Sequence, residues 1–153
     1  MQEEKDKKEE GKDFDRWNEM KKGLEKGIRP PYFYEREIWL CSIGLNVGQE
    51  QDSRNPTFSR PIVIFKKFNK LIFWGIPVTS KMSVDRYSVI FEMEGFRNKA
   101  IISQLRLFDY RRLIRKIGSL TEKDFITIED KFIDLIKTKP PMHGWNLGGR
   151  SRL

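Results

Sequence analysis

The sequence contains few of the side chains on which common enzyme mechanisms depend. Cys41 is the only cysteine among 153 residues, so no internal disulfide or cysteine-based metal cluster can be assembled, and we expect it to be a buried strand residue. His143 is the only histidine, and its position in a segment rich in proline and glycine argues against a serine–histidine–aspartate triad. Asp52, Glu92 and Glu94 have no recognised metal-ligand spacing. We therefore expect no metal and no other cofactor.

Charge is unevenly distributed along the chain. The formal net charge is +8, yet residues 1–37 hold 10 basic and 11 acidic residues, which leaves 20 basic and 11 acidic residues in the remainder. A basic balance of this size is typical of proteins that bind a phosphate polymer, although solubility alone could also account for it.

Hydropathy predicts no association with a membrane. The longest apolar run, residues 71–78, is far shorter than the roughly 20 residues that a membrane-spanning helix needs. The first twelve residues have no apolar stretch of the kind found in a signal peptide. We therefore expect a cytoplasmic protein.

Composition divides the chain into four segments. Residues 1–12 alternate charges with almost no apolar residue and are predicted to be a disordered tail. Residues 13–35 are predicted to be an N-terminal helical extension, since Phe14, Trp17, Met20 and Leu24 recur at helical spacing. Residues 36–137 form the predicted main domain, and residues 138–153 a disordered basic tail.

Periodicity in the main domain predicts five strands and a closing helix. The strands are expected at residues 36–42, 61–68, 70–79, 87–92 and 99–107, followed by a short helical turn at 111–114. Thr121 is a predicted helix N-cap, and the buried stripe of that helix is expected at Phe125, Ile128, Phe132 and Ile136. The predicted fold class is mainly β with helices. We expect a small SH3-like antiparallel barrel with an N-terminal helix extension and a C-terminal helix.

Four short motifs lie at loops and strand ends of this domain. They read Gly48-Gln49-Glu50-Gln51, then Arg60-Pro61 before an apolar strand, then Pro77-Val78-Thr79-Ser80, and finally Gln104-Leu105-Arg106 followed by Asp109. In this order they resemble the MazF/PemK family of type II toxin–antitoxin endoribonuclease toxins. The resemblance covers about residues 36–136. It implies a MazF/CcdB-type barrel, single-stranded RNA as substrate, a homodimer and silencing by a cognate antitoxin protein.

Site residues follow from the resemblance position by position. The family's catalytic arginine and threonine correspond to Arg60 and Thr79, with Glu50 as the aligned carboxylate and Gln104 as a pocket neighbour. The remaining expected RNA-binding residues are Ser80, Gln51, Arg106, Lys81 and, for stacking on bases, Phe58. Tyr87 is a second stacking candidate. Two departures from the family pattern are a longer stretch between Glu50 and Arg60 and Ser103 at a position that is acidic in some relatives.

The chemistry that these residues could perform is RNA cleavage without a metal. Attack of a ribose 2′-hydroxyl on the adjacent phosphorus leaves a cyclic phosphate and adds negative charge to the phosphoryl oxygens. A guanidinium is planar and permanently charged, so it can stabilise that charge on two oxygens, while a hydroxyl donates to another or orients the nucleophile.

Two other functions fit the same fold. A gyrase-binding toxin of the CcdB kind acts by binding a protein and needs no pair of Arg60 and Thr79. A non-catalytic nucleic-acid-binding barrel is the other alternative. Gln104 and Arg106 could then serve only to hold loops together.

Overall fold

The computed structural model describes residues 11–139. Most of the two predicted tails, residues 1–10 and 140–153, lies outside the described residues. Gly11 and Lys12 are described, and Lys12 is not part of a free tail: its ammonium group lies 2.5 Å from the carboxylate of Asp52. The predicted tail boundary is therefore wrong at this residue.

Nine regular elements follow one another along the described chain. They are α1 (Phe14–Glu25), β1 (Glu37–Ser42), β2 (Ser59–Lys67), β3 (Ile72–Thr79), β4 (Ser88–Met93), β5 (Phe96–Ile101), β6 (Arg106–Asp109), β7 (Leu113–Ser119) and α2 (Glu122–Lys137). The mainly β fold class with one helix at each end is confirmed. Neither helix has the length and apolar character needed to cross a membrane.

The strands form one antiparallel sheet in the order β4-β5-β3-β2-β1-β7. β3 is its centre, because β2 pairs along one edge while β5 and β6 share the other. β6 pairs with residues 72–75 and β5 with residues 78–79 of that edge. The first residues of β2 and the last residues of β3 lie next to each other, and two of the four motifs, Arg60-Pro61 and Pro77-Val78-Thr79-Ser80, lie there.

The predicted fifth strand is wrong as a single element. The chain forms β5, then a 3-10 turn at Ile102–Gln104, then β6. The turn is required because the two strands pair with different halves of β3, so the chain must step along that edge between them.

The helical turn predicted at 111–114 is found one residue earlier and is shorter, and the strand that follows it was not predicted. A 3-10 turn at Tyr110–Arg112 leads directly into β7, which pairs with β1 through two register shifts. Ile114, Arg115 and Lys116 are exposed on this strand. Local pattern is weak at such an edge, and tertiary pairing decides the conformation.

The C-terminal helix begins where the sequence predicted. The hydroxyl of Thr121 accepts a hydrogen bond from the backbone N–H of Asp124 at 3.1 Å. Phe125 and Ile128 are buried against the sheet, but Ile136 is 68% exposed, so the predicted stripe is wrong at its last member. Leu135 packs on the core instead.

Helix α1 covers the loop that joins β1 to β2, residues 43–58, named here the β1–β2 loop. Trp17, Met20 and Leu24 project from one face of α1 and pack with Leu45 and Phe58 of that loop. This cluster is separate from the two larger apolar clusters of the sheet. The N-terminal extension therefore rests on a loop of the candidate site rather than on the sheet core.

Candidate active site

Arg60 and Thr79 lie opposite each other on neighbouring strands. The β2–β3 register pairs Ile62 with Pro77, and continuing it by two residues brings Arg60 opposite Thr79. Side chains at opposite positions of an antiparallel pair project from the same face. Both residues line one open cavity of about 340 Å³. The structure thus brings together the two residues that the sequence motifs placed at separate strand ends.

A backbone carbonyl fixes the Arg60 guanidinium. Its Nε and Nη2 donate to the carbonyl oxygen of Asp52 at 3.2 and 2.9 Å. Nη1 takes part in neither hydrogen bond, and Nη2 carries a second proton, so the end of the fork can still donate to two phosphate oxygens. Burial lowers the pKa of Arg60 from its usual value, with the charge of Asp52 opposing the shift. An arginine with a lowered pKa still stays protonated in a protein.

Thr79 supplies a hydroxyl whose oxygen is already oriented. Its Oγ1 accepts a hydrogen bond from the backbone N–H of Lys81 at 3.2 Å. The hydroxyl proton is not used by that interaction and can be donated. Ser80 and Lys81 follow the end of β3, are exposed and line the same cavity. The cavity is therefore lined by two hydroxyl groups, of Thr79 and Ser80, and by two cations, Arg60 and Lys81.

Glu50 and Gln51 line a different cavity. This second cavity has a volume of about 190 Å³ and also contains Gln104 and Arg106. The Glu50 carboxylate accepts the backbone N–H of Val47 at 2.9 Å and thus closes a turn within its own loop. The expected grouping of Glu50 with Arg60 and Thr79 is therefore not found, because the longer loop turns Glu50 to the neighbouring cavity.

Gln104 and Arg106 hold the β1–β2 loop in place. Gln104 donates to the carbonyl of Gln49 at 3.0 Å and accepts from the N–H of Gln51 at 3.1 Å. Arg106 donates to the carbonyl of Ile43 at 3.0 Å. Burial lowers the pKa of Arg106, and the nearby charge of Arg112 lowers it further. These are the contacts that the loop-holding alternative predicts for Gln104 and Arg106.

Phe58 cannot stack on an RNA base in this conformation. Only 2% of it is exposed, and its ring lies 5.5 Å from the ring of Trp17. The prediction of Phe58 as a stacking residue is wrong because the sequence pattern does not show that α1 covers this loop. Tyr87 is partly exposed and lies near the C-terminal end of α2, in a different cavity from Arg60.

Cys41 is buried, as the sequence predicted. Burial raises the pKa of its thiol to about 12, although the charges of Arg112 and Arg106 act in the opposite direction. A thiol with such a pKa is protonated at neutral pH and is a poor nucleophile.

Sequence reasoning missed several residues of the Arg60 cavity. Asp52 was considered only as a possible metal ligand, yet its carbonyl orients Arg60. Four further polar side chains line the cavity: Ser53, Asn55, Ser59 and Asn98. The turn-forming sequence Asn55-Pro56-Thr57 was a usable signal for Asn55. Asn98 had none, because its position depends on the pairing of β5 with the end of β3.

Most of the chain matches a known protein family. Residues 34–136 match the family model described as PemK-like, MazF-like toxin of type II toxin–antitoxin systems. A search by sequence among curated proteins finds no match.

Solved structures share the fold at low sequence identity. MazF from Deinococcus radiodurans has a TM-score of 0.56 and 15% identity, covering 71% of this chain and 100% of that one. An endoribonuclease in complex with its cognate antitoxin from a mycobacterial species has a TM-score of 0.55 and 10% identity, covering 72% and 100%. The Mycobacterium tuberculosis toxin MazF-mt6 has a TM-score of 0.52 and 12% identity, covering 69% and 100%.

These structural neighbours establish the fold, and the family model covers most of the described residues. The four motifs of the β1–β2 loop and the strand ends all lie within the matched range. The resemblance read from the sequence is therefore confirmed: this chain belongs to the PemK-like, MazF-like toxin family of type II toxin–antitoxin systems.

Proposed function

We propose that this chain is an endoribonuclease that cleaves single-stranded RNA without a metal ion. The observation that carries the proposal is the convergence of the Arg60 guanidinium and the Thr79 hydroxyl on one open cavity. Two of the structural neighbours support it at the level of the family, since one is an endoribonuclease and another a toxin. Neither a gyrase-binding toxin nor a passive RNA-binding barrel needs this pair.

In the proposed reaction the ribose 2′-oxygen attacks the adjacent phosphorus. A new bond from the 2′-oxygen to phosphorus forms, the bond from phosphorus to the 5′-oxygen breaks, and the product carries a 2′,3′-cyclic phosphate. Negative charge grows on the phosphoryl oxygens in the transition state. The free end of the Arg60 fork and the Thr79 hydroxyl donate to those oxygens, and their fixed orientation avoids reorganisation during the reaction.

Proton transfer in this proposal does not depend on Glu50. Its carboxylate lines the neighbouring cavity and is engaged with the N–H of Val47. Water accepts the proton of the 2′-hydroxyl, and the departing 5′-oxygen takes a proton from water. Glu50 and Gln51, together with Gln104 and Arg106, instead bind a neighbouring nucleotide. Glu50→Gln is therefore expected to retain more activity than Arg60→Ala.

The proposal extends to partners. The mycobacterial endoribonuclease was solved with its cognate antitoxin, and we infer that a cognate antitoxin likewise silences this chain. The excess of basic residues beyond residue 37 favours an antitoxin with an acidic segment that competes with RNA. A homodimer is also part of the proposal, and sedimentation equilibrium of the purified chain tests it.

The activity test uses a labelled single-stranded RNA and the purified chain in excess EDTA. Fragments that end in a 2′,3′-cyclic phosphate are the expected result. In the described part of the chain, no group of three or more His, Cys, Asp or Glu side chains is arranged to hold a metal. Cleavage only after addition of a divalent cation would contradict the metal-free reaction. Retention of intact RNA would favour a non-catalytic binding protein, and no interaction with RNA would favour a protein-directed toxin.

A further inference from the structure

The N-terminal extension lies almost entirely outside the part of the chain that matches the toxin family. Since Lys12 contacts the same loop as α1, the N-terminal extension in the structure includes Lys12 as well as residues 13–35, and the family match begins only at residue 34. This segment does not contact Arg60 or Thr79 through any hydrogen bond or ion pair of the described residues. It contacts the β1–β2 loop, which lies between the two cavities of the site.

Lys12 makes two polar contacts with the β1–β2 loop. Its ammonium group donates to the carbonyl of Asn46 at 2.5 Å and lies 2.5 Å from the carboxylate of Asp52. The two side chains of this ion pair are 17% and 21% exposed, so solvent screens it less than a surface pair.

Each of the two loop residues that Lys12 contacts holds an arginine of the site. The carbonyl of Asp52 accepts both hydrogen bonds from Arg60. The side-chain oxygen of Asn46 faces Nη1 of Arg106 at 3.4 Å, and its amide group donates to the carbonyl of Gln51 at 2.6 Å. Lys12 is therefore connected to Arg60 through Asp52 and to Arg106 through Asn46.

An apolar anchor attaches α1 to the same loop. Trp17 is buried and packs so closely against Gly44 that a Cβ added at Gly44 would lie 2.0 Å from the Trp17 ring. Gly44 also has a φ of +79°, which favours glycine. At the other end of the loop Arg16 donates to the carbonyl of Pro56 at 3.1 Å. The extension thus contacts the β1–β2 loop near its start at Gly44, in its middle at Asp52 and near its end at Pro56.

We propose that the N-terminal extension is a positioning element of the active site, with Lys12 as its central positioning residue. Lys12 fixes Asp52 and Asn46, and through them the orientation of Arg60 and Arg106. This inference rests on the proposed function for its effect on catalysis, but its structural part, that Lys12 orders the β1–β2 loop, stands independently. The β1–β2 loop itself gives the physical reason: residues 43–58 contain no helix or strand, so holding them in one conformation costs entropy that contacts with the extension offset.

The test compares Lys12→Met with Lys22→Met in the full-length chain. Methionine keeps much of the apolar stem of lysine and removes the charge. Lys22 is the matched control, because it lies on the exposed face of α1 and, among residues 11–139, forms an ion pair only with Glu19 of the same helix. We expect Lys12→Met to lower kcat for RNA cleavage roughly tenfold by misplacing Arg60. KM should change less than about twofold, and Lys12→Arg should restore most of the rate.

Amide hydrogen exchange supplies a readout that does not require activity. The N–H of Gln51 is bonded to Gln104 and the N–H of Ser53 to the carbonyl of Gly44, so both report on loop order. Lys12→Met should speed exchange at these two amides and leave the strands unchanged.

The outcomes separate this inference from the proposed function. If the wild-type chain does not cleave RNA but exchange at Gln51 and Ser53 rises in Lys12→Met, the proposed function fails and the ordering role of Lys12 is supported. Unchanged exchange in Lys12→Met overturns the inference, whether or not the chain cleaves RNA. Equal effects of Lys22→Met would also overturn it. If the wild type cleaves RNA, an equal cleavage rate of Lys12→Met would overturn the positioning of Arg60 by Lys12.

Discussion

At the scale of single residues, the site depends on an arginine whose orientation is set by the backbone. The Nε and Nη2 atoms of Arg60 donate hydrogen bonds to the Asp52 carbonyl. These two bonds fix the direction in which the outer end of the guanidinium points. Preorganised donors of this kind stabilise charge without reorganising during the reaction. Lysine at this position would keep a charge but lose the fork that binds the carbonyl and a phosphate together.

Thr79→Val tests the hydroxyl that faces this arginine. Valine keeps the branched shape of threonine and removes the hydroxyl that donates a hydrogen bond to the phosphoryl oxygens. We expect the cleavage rate to fall by roughly ten- to a hundredfold, the range for one hydrogen bond to a charged group. Single-turnover kinetics at saturating protein measure the change. Thr79→Ser is the matched control and should retain most of the rate, so a valine variant as active as the serine variant would remove Thr79 from the mechanism.

At the scale of elements, β3 and its neighbours decide where the site forms. The pairing of β2 with β3 is local in sequence, and the two motifs at its end contribute Arg60 and Thr79 to one cavity, while the catalytic role of the two residues stays a prediction. Phe58 and Glu50 were misplaced, because their positions depend on α1 and on the path of a long loop. β7 was missed since it is an exposed edge strand whose pairing with β1 spans most of the chain. Short-range patterns thus predict a hairpin and its strand ends, but not long-range pairing.

The buried carboxylate of Glu37 joins β1, β7 and the segment that precedes β1. The Glu37 carboxylate accepts hydrogen bonds from Lys116 of β7 at 2.8 Å, from the Trp39 indole at 2.8 Å and from the N–H of Tyr34 at 3.0 Å. Burial by itself raises the pKa of Glu37, but these hydrogen bonds and the charge of Lys116 together lower it below 4.5.

This network predicts how stability depends on pH. Since the pKa is lower in the folded than in the unfolded chain, the folded state binds fewer protons in acid. The stabilisation by Glu37 is therefore complete above pH 4.5 and is lost as the pH falls through the folded-state pKa. Urea unfolding of wild type and Glu37→Gln should show a difference in free energy at neutral pH that shrinks in acid. A difference that stays constant or grows in acid would contradict this account of Glu37.

At the scale of the whole molecule, the excess of positive charge lies beyond residue 37 and part of it lines the Arg60 cavity. Composition gives the net charge, but it does not show which basic side chains are free to bind a ligand. Lys99 and Arg106, for example, donate hydrogen bonds to the backbone carbonyls of Ser83 and Ile43. Lys81, by contrast, is exposed at the cavity. The sequence therefore indicated a polyanion partner without showing which cations are available to it.

Salt dependence measures how many of these cations contact RNA. Binding of single-stranded RNA to a non-cleaving variant should weaken as salt rises from about 50 to 200 mM. Lys81→Gln should reduce the slope of log affinity against log salt by about 0.7, the value for one phosphate contact on a single strand. Lys123 lies on the exposed side of α2, and Lys123→Gln should leave the slope unchanged. Equal slopes for wild type and Lys81→Gln would exclude Lys81 from the RNA contact.

The most direct test of the account is the single-turnover cleavage rate of Arg60→Ala in EDTA. Arg115→Ala is the matched control, since Arg115 is exposed on β7 and lines neither cavity of the site. Both variants should first be shown to unfold at a similar temperature to the wild type. We expect Arg60→Ala to lose on the order of a hundred- to a thousandfold in rate, while Arg115→Ala remains near the wild-type rate. An Arg60→Ala protein that cleaves RNA at the wild-type rate would contradict this expectation.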